Sequence, residues 1–111
     1  MDIMTKAIST MQSLPELNGP YYPFIGVGNT TEITVSHNLG TKENPVNEVL
    51  IEEAFEGGFK TLRFTIPYMD IVYSEYMSHD EIVKHMKFIQ HKLNDVIEFA
   101  EEMEEKNTYS V

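Results

Sequence analysis

Four histidines, a glycine pair and two groups of carboxylates are the residues whose types and spacing could do chemistry in this chain. His79, His85 and His91 recur every six residues in a segment of helical periodicity, so each is turned about 240° from the last. Two ligands from one helix to one ion need an i, i+3 or i, i+4 relation. These three therefore do not converge on a metal, and His37 stands apart in a strand-like segment. Gly26-Val27-Gly28 is a fragment of a dinucleotide fingerprint, but the third Gly is missing and a strand is expected to follow, not a helix whose N-terminus would hold phosphate. Ser36 with His37, or Glu52 with Glu53, can be written down as an acid and a base, yet neighbours on a strand point to opposite faces. The absence of Cys excludes disulfides, thiolate metal sites and Cys nucleophiles. The expectation is a protein with no catalytic residue, no metal and no cofactor, and so not an enzyme.

The carboxylates are the remaining candidates. Glu48, Glu52, Glu53 and Glu56 gather in one segment, and Asp95, Glu98, Glu101, Glu102, Glu104 and Glu105 fill the end of another whose first half holds Lys84, His85, Lys87, His91 and Lys92. That order opposes a helix dipole, which favours acids at the start and bases at the end. Glu98 with Glu102 and Glu101 with Glu105 are also like-charge pairs at i, i+4, and the whole arrangement gives up about 1 to 2 kcal/mol of helix stability at low salt. A residue set that costs stability is a candidate for function, with solubility as the competing account. Eighteen acids against eight bases leave a formal charge of -10. Such a chain repels free nucleic acid and anionic membranes and is steered toward basic surfaces.

These charges are positioned by a few elements. Ser78-His79-Asp80-Glu81 fits a capping box, with Met77 and Ile82 placed as a hydrophobic staple. From there Ile82, Met86, Ile89, Leu93, Val96, Ala100 and Met103 form one apolar stripe, predicting a helix over 78–106, roughly 42 Å long. Packing on a sheet is expected for its stripe, with the C-terminal turns, Phe99 and Met103 among them, overhanging the core. Upstream, Thr31 to His37 alternates as a half-buried strand. Asn47 to Glu56 and Phe59 to Pro67 flank Gly57-Gly58, which suits a hairpin. With those glycines as the loop, Ile51 faces Phe64, Val49 faces Ile66 and Glu52 faces Arg63. Residues 2–14 read as a short helix, and the segment from Pro15 to Asn29 as irregular with an aromatic face of Tyr21, Tyr22 and Phe24. Tyr68 to Met77 fits neither period and is taken as a fourth strand or an extended lead into the helix. Asn107 to Val111 read as a frayed tail.

The chain of 111 residues, 41% hydrophobic with six Phe and six Tyr, is expected to be one folded domain, 1–111. The class is α+β: an antiparallel three- or four-stranded sheet over 31–67, a short N-terminal helix and a long C-terminal one. No signal-peptide pattern or membrane-length apolar run is present in the sequence, so a cytoplasmic protein is expected.

The functional expectation is a small acidic interaction module that binds a basic, nucleic-acid-binding protein and inhibits or regulates it. Its contact residues would be Glu48, Glu52, Glu56, Asp95, Glu98, Glu101, Glu102 and Glu105, with apolar contacts from Tyr21, Tyr22, Phe24, Phe99 and Met103. Size, charge and element order look like those of phage-type inhibitors of host defence, including some anti-CRISPR proteins, and of bacterial toxin-immunity proteins; no motif carries that likeness. The alternatives are an effector chaperone, and a homodimeric module holding a small ligand among Tyr21, Tyr22, Phe24 and Tyr73. Self-pairing would run through the C-terminal helix.

Overall fold

Period-two alternation in the middle of the chain builds a sheet, and the capped periodic segment that follows lies across one of its faces. The computed structural model describes residues 19–27 and 30–109; the helix expected over 2–14 lies outside them. Five strands, β1 (Tyr21–Val27), β2 (Thr31–Ser36), β3 (Asn47–Phe55), β4 (Gly58–Ile66) and β5 (Asp70–Glu75), form one antiparallel sheet in the order of the chain. Two helices follow, α1 (His79–His91) and α2 (Leu93–Tyr109). The class is thus α+β, with more strands than expected. The irregular segment is instead β1, and the ambiguous one is β5.

Both additional strands are edges, and both carry a bulge. In β1 the pairing with β2 shifts between Pro23 and Ile25, and in β5 the extra residue is Val72, between the pairs Phe64 with Ile71 and Arg63 with Tyr73. A bulge breaks strict alternation, and an edge strand tolerates Pro23 because only one side of it need donate.

The β3–β4 hairpin turns at Glu56-Gly57, so that Phe55 pairs with Gly58, Ile51 with Leu62 and Val49 with Phe64. This corrects the expected register by two residues. A shift of two leaves every side chain on its expected face, so the apolar pairs survive with new partners. Glu52 now faces Thr61, and Arg63 faces Leu50. Gly57, at φ 127°, supplies backbone freedom that a side-chain-bearing residue lacks.

Ile33, Val35, Val49, Ile51, Leu62, Phe64 and Ile66 face the helices and close on Ile89, Val96 and Ala100, all at 1% exposure or less. Both halves of the capping box form: Ser78 Oγ accepts from the Glu81 N–H at 3.2 Å, and Glu81 Oε1 accepts from the Ser78 N–H at 3.0 Å. Met77 and Ile82 both pack against the core. The single long helix is broken once, at Lys92, whose N–H turns to the carbonyls of Gln90 and Ile89. That is a local 3₁₀ tightening without Pro or Gly. The Val96 N–H then bonds the Lys92 carbonyl at 3.0 Å, so the helical phase carries through. The long dimension of the molecule, 47 Å, matches the roughly 46 Å of an unbroken run from His79 to Tyr109.

The expected overhang is not found. Ala100 is buried, the Phe99 ring meets Phe24 edge-on at 5.2 Å, and Glu104 Oε2 accepts from the Asn38 N–H at 3.3 Å. The added strand β1, whose Phe24 meets Phe99, widens the sheet under α2, and the helix continues to Tyr109 through part of the expected tail.

Candidate functional site

Three places gather polar chemistry. The first is on the sheet face away from the helices, where alternation puts Glu48, Leu50 and Arg63. Glu48 and Arg63 are buried, at 4% and 5% exposure. Arg63 Nε and Nη2 donate to the two Glu48 oxygens at 3.0 and 3.2 Å, and Tyr21 Oη also donates to Glu48 Oε2. A bidentate guanidinium–carboxylate pair with a phenol on the same carboxylate is a closed, satisfied unit. Glu48, expected on an exposed acidic surface, is therefore committed internally. Tyr73 sits opposite Arg63 in β5 and donates to Glu75 at 2.8 Å; burial and that hydrogen bond push its phenol above the ordinary range.

The second is a cavity of about 210 Å³ between β2, β3 and α1, lined by Thr31, Ile33, Glu53, Glu81, Lys84, His85 and Phe88. Glu53 is on the helix side because it shares parity with Val49 and Ile51. His85 Nε2 stands 3.9 Å from Glu53 Oε2. Burial holds the imidazole below its usual range, outweighing the attraction of Glu53. Glu81 is tied to Lys60 Nζ at 2.7 Å. The Lys60 ammonium, joined by the Ser78 N–H, pulls its carboxyl down to about 2. His85 has no second His at helical spacing in the sequence; its neighbour, Glu53, comes from β3, which helix spacing does not report. Among the described residues, no three His, Cys, Asp or Glu side chains are grouped to hold a metal ion.

The third is the outer face of the helices. With Ile89, Val96 and Ala100 turned to the sheet, the opposite stripe carries Lys84, Lys87, His91, Asp95, Glu98, Glu102 and Glu105, every one exposed. Helical phase puts them within a sector about 80° wide. Glu101 flanks the stripe and is also exposed. Asp95, Glu98, Glu101, Glu102 and Glu105 make no ion pair with a described residue.

The expected acidic residues are thus divided. Asp95, Glu98, Glu101, Glu102 and Glu105 form one surface, whereas Glu52 and Glu56 lie on the β3–β4 hairpin, with Glu52 on the far side of the sheet. The expected aromatic pocket does not assemble. Tyr22, paired with Val35, is buried on the helix side, while Tyr21 and Tyr73 bond carboxylates on the other face. Phe24 and Phe99 pack on each other. Among the described residues, no helix is long and apolar enough to cross a membrane. Comparison with protein-family models, with curated proteins and with solved structures finds no match.

Proposed function

We propose that this is a small acidic protein-interaction module, a binding protein and not an enzyme, that holds a basic surface of another protein against the outer face of α2 and so blocks or regulates it. The observation that supports this reading is the line of exposed carboxylates, Asp95, Glu98, Glu101, Glu102 and Glu105. From Asp95 to Glu105 the five charges span about 15 Å in four intervals, a mean spacing of roughly 3.8 Å of helix axis, close to the roughly 3.4 Å per phosphate along one DNA strand. A protein surface built to bind phosphates would meet a similar charge density here. Glu52 and Glu56 are left outside this contact, and Glu48 is spoken for by Arg63.

The test is affinity capture with the wild-type chain and with a variant carrying E98Q, E101Q, E102Q and E105Q. The captured protein is identified, and its nucleic-acid binding is then titrated against each bait. Wild type should compete with nucleic acid and the variant should not. A partner held equally by both baits, or retained undiminished in high salt, overturns the reading.

A small-ligand role has one observation in its favour, the cavity beside His85. A thermal-shift screen of metabolites separates the two readings, because stabilisation that rises with ligand concentration belongs to the second alone.

A further inference from the structure

The outer helix stripe is self-complementary when read backwards. From Asp80 onward its charges run acid at 80, base at 84 and 87, His at 91, then acid at 95, 98, 102 and 105, with Lys106 at the end. All of these residues are exposed. Lay a second copy on the first, antiparallel, with the two-fold axis at Leu93. Lys84 then falls opposite Glu102, His91 opposite Asp95 and Asp80 opposite Lys106. Lys87 lies one residue, about 1.5 Å, out of register with Glu98, and only Glu105 meets an acid, Glu81. Each pairing occurs twice by symmetry. Parallel stacking would instead put like on like. The axis falls beside the helix break at Lys92, so the basic α1 and the acidic α2 are the two exchanged halves.

We infer that this face is a two-fold interface and that its occupant is a second copy of this chain, seated antiparallel through the charged stripe. A closed dimer of this kind uses the same patch on both subunits, which must then match itself under a two-fold rotation. The break at Lys92 relieves the expected dipole conflict, since each helix begins with acids and ends with a base, but the like-charge i, i+4 pairs of α2 remain, and the partner's lysines would offset them. Net repulsion between two copies of charge -10 acts at long range and is screened beyond about 8 Å at physiological salt, whereas directly opposed pairs lie inside that distance. The apolar stripe stays on the sheet throughout, so the interface is a charge zipper and not a coiled coil.

The inference stands apart from the proposed partner, because it is measured on the purified chain alone. Sedimentation velocity of the full chain, from micromolar to millimolar concentration, should show a monomer–dimer equilibrium. The E98K/E102K variant lowers the net negative charge, and simple repulsion would then make it associate more strongly. The zipper makes the opposite prediction, that its dissociation constant rises by more than about tenfold as four attractive pairs become repulsive. The four-fold variant K84E/K87E/E98K/E102K has the wild-type net charge and inverted pairs, and should dimerise like wild type. Both variants carry changes at exposed positions, and far-UV circular dichroism checks that each is folded. A wild-type chain that stays monomeric across the range, an E98K/E102K chain that associates as well or better, or a four-fold variant that fails to recover overturns the proposal.

Discussion

At the scale of single residues, the costliest group to disturb is the Glu48–Arg63 pair. Both ions are almost fully removed from water, so deleting one leaves the other without its main counter-charge in a low-dielectric site. Glu48→Ala should lower the unfolding free energy by about 3 kcal/mol, read from the midpoint in urea. Replacing both by Met should recover most of that loss, because no buried charge then remains. Two other residues fix the acid response. The folded state holds His85 below its usual pKa by burial and holds Glu81 at about 2, down from 4.5. In both cases the unfolded chain binds the proton first. Stability is therefore complete above the ordinary His range, declines as pH falls through that range, and declines again from about 4.5 toward about 2. His85→Gln should remove the upper limb and Glu81→Gln the lower. The second change should also cost about 1 kcal/mol or less at neutral pH, a modest figure because the lost Lys60 pair is surface-screened and a Gln at this position still accepts from the Ser78 N–H. Unfolding followed from pH 8 to pH 3, values set by the ordinary His and Glu ranges of about 6.5 and 4.3, checks both limbs.

At the scale of elements, the edges behave differently from the centre. The central strands β2, β3 and β4 keep a strict period and were readable from it, whereas β1 and β5 hide theirs behind bulges at Phe24 and Val72. The hairpin shows what alternation can and cannot specify. It assigns faces, because a slip of one residue would bury Glu52 and expose Ile51. It leaves a slip of two undetermined, and the backbone at Gly57 decides that choice. Gly57→Ala should lower stability by about 1 kcal/mol through strain at positive φ, with the fold retained, as measured by thermal unfolding. Gly40 is constrained for another reason. A Cβ there would stand 2.4 Å from the Asn44 carbonyl oxygen, inside a loop closed by Asn38 Oδ1 accepting from the N–H groups of Gly40 and Val46. Of the helical elements, the capping box and apolar stripe were legible because they are local. The break at Lys92 carries no Pro or Gly and was not.

At the scale of the whole molecule, charge and packing are segregated. The apolar sides of sheet and helices meet in one core, and the outer helix face carries a basic half and an acidic half in line. The same carboxylates serve the proposed partner and the proposed dimer, so the two associations exclude each other. Adding the captured partner to the dimeric chain should give one-to-one complexes and no ternary species, measured by light scattering. Of the contact residues expected from the sequence, the helix acids lie together because they share a helical phase. Glu48 was placed with them by type alone, and its removal into an ion pair depends on strand pairings that its neighbours in sequence do not encode.

The sequence by itself determined the class, the faces and the cap. Those follow from periods of two and 3.6 residues and from a four-residue motif, all short-range. Only the tertiary structure decided the hairpin register, the two edge strands, the site of the helix break and the burial of Glu48 against Arg63. Each of those turns on contacts between residues far apart in the chain, where several pairings satisfy the same local pattern and packing selects one. The charge order of 80–106 belongs to both. Its residues were readable from the start, but only with Ile89, Val96 and Ala100 turned to the sheet do they become one exposed face.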